Sequence, residues 1–300
     1  MKGGILLLRS IAVISSSVAT IISTMLPLFL YVSTPNIELI SIFILLIFSA
    51  FLIHGVLTHA LNDYTDHLSG TDTNSPAILS GGSRVIQTEV FSVESLGRFG
   101  KWLSILLVMI LLVFLMLGYY RLAVLLFVGL WAAVAYSVPP LRFSYRPFIG
   151  EWLCTFPSVL FLGFAGAWLA LGSPPEWALQ NAVINALICI AWVMVHHIPD
   201  LDADKNAVPP KRTSVVWAAE KFGLAWSRLP ALTYYFLAFT CTAWLIPERF
   251  WAGAGVTIVT AVSALFIFKM NVADPVQVSS YEKIMLMLAI LNAVWLGIFI

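Results

Sequence analysis

Long apolar runs separated by short polar segments dominate the chain from residue 10 to residue 300. A transmembrane helix needs about 20 predominantly apolar residues. On this criterion the pattern predicts an all-α bundle of nine membrane-spanning helices, with residues 1–300 forming a single domain. The predicted spans are residues 10–32, 39–59, 101–118, 121–138, 150–171, 179–198, 229–246, 250–268 and 283–300.

The composition agrees with an integral membrane protein. Of the 300 residues, 60% are hydrophobic and only 10% are charged, whereas a soluble domain carries about 25% charged residues. No basic run accompanies the net charge of +1, so we predict no nucleic-acid partner. The cysteines Cys154, Cys189 and Cys241 lie in apolar stretches without a Cys-x-x-Cys pair, and we expect them to be buried as small hydrophobic residues.

The distribution of basic residues predicts how the chain crosses the membrane. With the N-terminus in the cytoplasm, Lys2 and Arg9 precede or begin the first span, and of the 16 lysines and arginines only Arg121 and Arg249 fall outside. Cytoplasmic loops of membrane proteins are enriched in Lys and Arg. The sequence therefore predicts an integral protein of the cytoplasmic (inner) membrane, with its long loops on the cytoplasmic side.

Two short windows contain six of the seven aspartates, and each follows a predicted span on the cytoplasmic side. Ionised carboxylates beside a bilayer are costly unless a cation neutralises them, so such windows indicate function. They contain Asp63, Asp66 and Asp72 after the second span, and Asp200, Asp202 and Asp204 after the sixth.

The spacing inside each window places oxygen ligands on one helix face. Asn62 and Asp66 are four residues apart, as are Asp200 and Asp204, whereas Asp202 lies off that face. Mg²⁺ prefers oxygen ligands and commonly binds through one or two carboxylates plus substrate phosphates. We therefore predict that the two windows converge on Mg²⁺ and a diphosphate-bearing substrate.

Other functions are compatible with acidic residues in a membrane protein. Asp200-x-Asp202-x-Asp204 resembles the start of a calcium-binding loop, but Lys205 and Lys211 occupy the positions where that loop has Gly and Glu. A cation-coupled transporter is the alternative from another class. Transporters place such carboxylates near the bilayer midplane in broken helices, whereas these windows lie at predicted helix ends.

The motifs and their order resemble a known family. Asn-Asp-x-x-Asp begins at Asn62, and Asp-x-x-x-Asp begins at Asp200. Tyr-Ser-Val-Pro-Pro-Leu-Arg spans residues 136–142 after the fourth predicted span, and Arg212-Thr213 follows the second window. Together with nine spans, these segments resemble the UbiA superfamily of intramembrane prenyltransferases over nearly the whole chain.

The resemblance implies an Mg²⁺-dependent transfer of a polyprenyl group from a polyprenyl diphosphate to a small aromatic or lipid acceptor. It implies that Asn62, Asp63, Asp66, Asp72, Asp200 and Asp204 hold metal, with Asp66, Asp200 and Asp204 catalytic. It implies that diphosphate or acceptor is contacted by Arg84, Arg142, Arg146, Lys205, Lys211 and Tyr136.

The two windows point to different acceptors. The first window, with Asp72 two residues after Gly70, resembles the menaquinone branch, whose acceptor is 1,4-dihydroxy-2-naphthoate. The Ile198-Pro199-Asp200 opening of the second window resembles the carotenoid-elongating members. An aromatic quinone precursor is the first expectation, and carotenoid, haem and glycerol-phosphate acceptors stay open. The sequence does not specify an oligomeric state.

Overall fold

A computed structural model describes residues 13–76 and 78–300. Within these residues the protein is all-α, as predicted, with fourteen α-helices and no β-strand. The helices are α1 (Ala19–Tyr31), α2 (Asn36–Ala50), α3 (His59–Ser69), α4 (Thr71–Asn74), α5 (Val93–Met116), α6 (Tyr120–Ser137), α7 (Phe156–Leu171), α8 (Glu176–His196), α9 (Leu201–Asn206), α10 (Ser214–Phe222), α11 (Leu229–Thr240), α12 (Thr242–Leu245), α13 (Phe250–Lys269) and α14 (Pro275–Ile298).

Three π-helical segments extend these helices. Ile14–Val18 precedes α1, Phe51–Thr58 joins α2 to α3, and Glu151–Thr155 precedes α7. The middle segment makes α2 and α3 one continuous 34-residue helix, Asn36–Ser69. This helix is longer than the predicted span 39–59, and its additional turns carry the first aspartate window beyond the apolar stretch.

Seven helical stretches of the described residues are long and apolar enough to cross a membrane, and they coincide with seven predicted spans. The first predicted span corresponds to the shorter apolar helix Ser16–Tyr31, and its start, with Lys2 and Arg9, lies outside the described residues. The seventh predicted span, 229–246, is divided into α11 and α12. The count of nine and the cytoplasmic N-terminus therefore stay predictions. The seven stretches are Asn36–Ser69, Val93–Met116, Tyr120–Ser137, Glu151–Leu171, Glu176–His196, Phe250–Lys269 and Pro275–Ile298.

Helix α8 lies at the centre of the bundle. It packs against α1, α7, α11 and α14, and most of its residues are buried. A helix that is apolar all round is expected to be enclosed by neighbours. Helix α5 has the opposite environment, because most of its apolar side chains, such as Leu106 and Met116, are exposed on the outer surface where lipid is expected. This arrangement places the end of α8 in the middle of one face of the bundle.

A buried arginine joins the helices at the other end of α8. The Arg249 guanidinium donates to the carbonyl oxygens of Leu296 and Phe299 at 2.9 to 3.0 Å, at the end of α14. It also donates to the side chains of Gln180 (2.8 Å) and Asn181 (3.0 Å) on α8. Carbonyl groups at a helix end have no partner within the helix, so Arg249 has a structural role.

We expect Arg249→Ala to destabilise the fold by about 3 kcal/mol, because each buried acceptor left without a donor costs about 1–3 kcal/mol. The change is measured as the midpoint of thermal or denaturant unfolding of the purified protein in detergent. The matched control is Arg212→Ala, which removes an exposed pair with Glu220 and is expected to cost less than about 1 kcal/mol. Equal destabilisation by both variants would contradict the assignment.

Candidate active site

The first aspartate window lies at the end of the long helix Asn36–Ser69. Asn62, Asp63 and Asp66 lie within α3, which ends at Gly70 with φ of +86°, a conformation that glycine adopts without strain. The chain then turns into the short helix α4, which carries Asp72. Both Asp66 and Asp72 are almost fully buried.

The second window does not continue α8. That helix ends at His196, and the chain makes a turn through Pro199 before the short helix α9 begins at Leu201. Asp200 is therefore the residue that precedes α9, and Asp204 lies inside it. The proline explains the break, because its ring prevents the regular hydrogen bond of a helix interior.

Lys211 brings the two windows together. Its Nζ donates to Oδ2 of Asp66 at 2.6 Å and lies 3.8 Å from Oδ1 of Asp204. Burial disfavours the charge on Lys211, but the carboxylates of Asp66 and Asp204 outweigh this effect and raise its pKa well above the usual value. The lysine is therefore a permanent cation between two carboxylates that are 138 residues apart in sequence.

Two further hydrogen bonds reach the Asp66 carboxylate, one from its own window and one from the segment after α6. Its Oδ2 accepts from Asn62 Nδ2 at 3.1 Å, and its Oδ1 accepts from the Tyr145 hydroxyl at 2.9 Å. Asn62 Oδ1 in turn accepts from the Ser137 hydroxyl at 3.1 Å. These contacts fix the orientation of the Asp66 carboxylate.

Ser75 and residues 80–83 contact a carboxylate from each window. Oδ1 of Asp200 accepts from the hydroxyl of Ser75 and, at 2.9 Å, from that of Ser80, and its Oδ2 accepts from the Gly81 amide at 3.1 Å. The Asp63 carboxylate accepts from the Ser83 amide at 3.2 Å and from the Ser83 hydroxyl. One loop therefore holds a carboxylate from each window.

Asp72 lies against Gly82 in this loop. Gly82 has φ of +74°, and a Cβ at this position would overlap the Asp72 carboxylate, so the close approach requires glycine. Burial and the nearby carboxylates of Asp66 and Asp63 raise the pKa of Asp72 to about 8. A group in this environment is stabilised in its charged form by a cation.

Asp204 is the carboxylate whose surroundings best fit a bound cation. It is fully buried, and neither carboxylate oxygen has a hydrogen-bond partner among residues 13–76 and 78–300. The nearest opposite charges are Lys211 Nζ at 3.8 Å and, when protonated, His197 Nδ1 at 3.7 Å. Burial raises the pKa of Asp204. A buried carboxylate without donors is costly, and a bound metal ion would remove that cost.

The residues present fit Mg²⁺ that binds together with a diphosphate. Among residues 13–76 and 78–300 no three His, Cys, Asp or Glu side chains form a complete metal site. Mg²⁺ does not require one, because it takes one or two carboxylates and completes its shell with water and substrate phosphates. Each carboxylate offers about four lone-pair positions, so the existing hydrogen bonds leave positions on each carboxylate for a metal.

A cavity of about 400 Å³ opens from the acidic site into the bundle. Its polar end is bordered by Asp66, Asp72, Asp200 and Lys211. The rest of its wall is mainly apolar. Its apolar lining includes Leu45, Phe48, Leu52, Leu107, Ile110, Phe114 and Leu125.

Two predicted substrate contacts border the cavity, and four do not. Lys211 and Tyr136 are on its wall, and the Tyr136 hydroxyl lies 3.4 Å from His197 Nε2. Arg84 instead donates to the backbone carbonyls of Asp72 (2.7 Å) and Ser75 (3.0 Å) and supports α4 from behind. The remaining three, Arg142, Arg146 and Lys205, are partly or fully exposed away from the cavity wall.

The predicted metal ligands divide in a similar way. The cavity is bordered by Asn62, Asp66, Asp72 and Asp200, whereas Asp63 and Asp204 lie behind its wall. Asp202 is exposed, in agreement with its position off the shared face. Cys154 and Cys189 are buried as predicted, and Cys241 is partly exposed.

Two residues at the site, Tyr145 and Glu282, were not singled out from the sequence. Tyr145 holds Asp66, and His196 borders the cavity one turn before Asp200. The Glu282 carboxylate, from α14, accepts a hydrogen bond from His196 Nδ1 at 2.6 Å. In the sequence, Glu282 is a single acidic residue at the edge of the ninth predicted span. This position does not indicate that His196 is its partner.

Comparisons with known proteins agree with this architecture. The sequence profile of the UbiA prenyltransferase family matches residues 20–291. A solved structure of a UbiA homologue from Archaeoglobus fulgidus, bound to GPP and Mg²⁺, has a TM-score of 0.64 and 15% identity, and the alignment covers 97% of this chain and 98% of that chain. At this identity the likeness concerns the fold. No curated protein sequence matches the chain significantly.

Proposed function

The chain belongs to the UbiA prenyltransferase family, and from this premise we propose that it transfers a polyprenyl group from a polyprenyl diphosphate to an acceptor in an Mg²⁺-dependent reaction. The observation that carries the proposal is the two-part cavity, whose acidic end contains Asp66, Asp200 and Lys211 and whose body is apolar. A diphosphate with a hydrocarbon tail has the same two parts. The archaeal homologue of similar fold is bound to a prenyl diphosphate, GPP, and to Mg²⁺.

Within this proposal each polar residue has a defined task. Mg²⁺ would be held at the cavity by Asn62, Asp66, Asp72 and Asp200, with Asp63 and Asp204 as further ligands from behind its wall. When bound, it would neutralise the diphosphate charge that grows as the carbon–oxygen bond breaks. Lys211 contributes a fixed positive charge at the same end of the cavity. Such charges stabilise a departing anion without reorganising during the reaction.

The apolar wall of the cavity protects the reaction intermediate from water. Breaking the carbon–oxygen bond leaves an allylic cation, which water would capture. Side chains such as Leu52, Leu107 and Phe114 border the cavity and exclude water from it. The acceptor then captures the cation. The aromatic ring of Trp192, which also borders the cavity, offers a π face to positive charge.

We propose an aromatic quinone precursor such as 1,4-dihydroxy-2-naphthoate as the acceptor, on the strength of the first motif from Asn62 to Asp72. The same chemistry on a carotenoid, haem or glycerol-phosphate acceptor is the alternative. The proposal places residues 1–300 in one catalytic domain in the cytoplasmic membrane, with the site facing the cytoplasm. Within this proposal, four basic residues outside the cavity wall support the site or contact diphosphate as it enters. They are Arg84, Arg142, Arg146 and Lys205.

The test uses purified protein in liposomes with geranylgeranyl diphosphate labelled in both the prenyl and the phosphate parts. We expect diphosphate release that requires Mg²⁺ and falls to background when EDTA removes the metal, because the carboxylates alone repel the diphosphate. Restored release on adding Mg²⁺ back is the control for damage by the chelator. Uptake of the intact donor into the liposomes without bond cleavage would overturn the proposal in favour of a transporter.

A further inference from the structure

We propose that His196, held by Glu282, accepts the proton that the acceptor loses when the new prenyl–acceptor bond forms. The inference rests on the proposed prenyl transfer and adds to it a residue for its last step. Neither residue belongs to the two aspartate motifs. His196 ends α8, and Glu282 lies on α14, so the pair exists only because these two helices pack against each other.

The geometry of the pair separates the two nitrogens of the histidine ring. Nδ1 of His196 lies 2.6 Å from Oε1 of Glu282, whose side chain is 0% exposed. The His196 side chain is 16% exposed and borders the cavity. With Nδ1 engaged by the carboxylate, Nε2 is the nitrogen available to a molecule in the cavity. A carboxylate that fixes an imidazole in this way selects its tautomer and stabilises the imidazolium.

Glu282 is suited to holding a charged histidine. Its second oxygen, Oε2, is buried and has no hydrogen-bond partner within the described part of the chain, so the Glu282 carboxylate is paired there through His196. A buried carboxylate is costly unless it is paired, and protonation of His196 gives it a full positive partner. The carboxylate therefore lies directly beside the ring that would receive the proton. Trp192, whose ring centre is 5.4 Å from that of His196, limits the movement of the imidazole.

For a carbon acceptor, the proton that His196 receives comes from the attacked carbon. A π bond of the acceptor supplies the electron pair that joins it to the allylic cation, which leaves the positive charge on the acceptor. The C–H bond at the attacked carbon then breaks, and its electrons restore the double bond or the aromatic ring. The proton forms a new N–H bond at Nε2 of His196, while the Nδ1 proton stays directed at Glu282. Diphosphate has already departed, so ionisation of the donor does not need this residue.

The test measures ionisation and transfer separately. The gene is deleted in the source organism, and the wild type or a variant is expressed in the deletion strain. Membranes from these cells supply the acceptor. Dual-labelled geranylgeranyl diphosphate is then added to the membranes as the donor. We expect His196→Gln to release diphosphate within about threefold of the wild type, and the prenylated lipid to fall about 100-fold or more, since a general base contributes about 10²- to 10⁴-fold. The prenyl group is recovered as the free alcohol.

Glu282→Gln is the second variant, because its amide has the same size and still bonds His196 Nδ1. As the variant of a positioning residue, it is expected to lower the ratio of transfer to release about tenfold without changing the melting temperature. Glu220→Gln, which alters the exposed pair with Arg212, is the control and is expected to leave both readouts unchanged.

Two outcomes would overturn the inference. Full transfer in His196→Gln would leave the histidine with a packing role. Equal loss of release and transfer in both variants would mean that the pair binds the donor or stabilises the fold. A wild type that releases no diphosphate would instead reject the proposed function itself, so the two failures are distinguishable.

Discussion

Replacing Asp66 or Asp200 by asparagine is expected to lower Mg²⁺-dependent diphosphate release on the order of 1,000-fold. Both carboxylates border the polar end of the cavity, and they come from different windows. Each substitution keeps the size of the side chain and removes one negative charge from the set that holds the metal. Since groups that stabilise developing charge each contribute about 10²- to 10³-fold, and metal binding is lost as well, the loss exceeds that of a single hydrogen bond.

The two substitutions differ in their expected effect on stability. In Asp200→Asn the remaining carbonyl oxygen still accepts from Ser75 and Ser80. The hydrogen bond from the Gly81 amide is lost, which we expect to lower the melting temperature slightly with the fold retained. In Asp66→Asn the buried cation of Lys211 loses its closest partner, and we expect a lower melting temperature with the protein still folded. Release is assayed with purified protein and geranylgeranyl diphosphate, and unfolding is followed in detergent.

Asp202→Asn is the matched control for these variants. It lies in α9 beside the same window, but its side chain is exposed. We expect its release rate to stay within about twofold of the wild type. If Asp202→Asn were as defective as Asp200→Asn, general acidity near the membrane rather than the cavity geometry would govern the reaction.

Lys211→Gln is expected to produce the second large effect, a loss of about 100- to 1,000-fold in diphosphate release. The glutamine reaches similar neighbours but carries no charge. It also leaves Asp66 and Asp204 buried without the cation between them, and breaking a buried ion pair costs about 3–5 kcal/mol. We therefore expect a lower melting temperature in EDTA and a larger gain on adding Mg²⁺ than the wild type shows.

Lys221→Gln is the control for this variant, because Lys221 is exposed at the end of α10 and lies over the ring of Trp217. It is expected to match the wild type in release and in its response to Mg²⁺. A Lys211→Gln protein with normal release would show that the lysine only neutralises the carboxylates in the absence of metal. That result would show that Lys211 is not needed for catalysis, and the proposed role of the aspartates would be unaffected.

The apolar pattern was sufficient to predict the helices that are long and uninterrupted. It placed α5 at 101–118 rather than Val93–Met116, because the first turns of the helix are amphipathic and do not differ from a loop in hydropathy. It placed the second span at 39–59 for the same reason, although the helix continues to Ser69. Hydropathy detects contact with lipid, whereas a helix continues wherever its backbone stays hydrogen-bonded.

The candidate site was predictable to the extent that it consists of spaced motifs. Asn62, Asp66 and Asp200 were recognised by spacing, and the structure brings them to one cavity. The basic residues were harder to assign, because a loop position specifies neither direction nor burial. Arg84 supports the backbone of α4, and Lys205 is exposed, whereas Lys211 lies between the two windows.

By itself the sequence determined a helical membrane protein with two acidic windows, because hydropathy and short-range spacing are local properties of the chain. Only the tertiary structure decided that Lys211 bridges Asp66 and Asp204, that Asp204 is buried with no donor in the described part of the chain, and that Glu282 contacts His196. These contacts join residues far apart in the chain. Their distances and burial depend on how α3, α8, α9 and α14 pack, which no local pattern encodes.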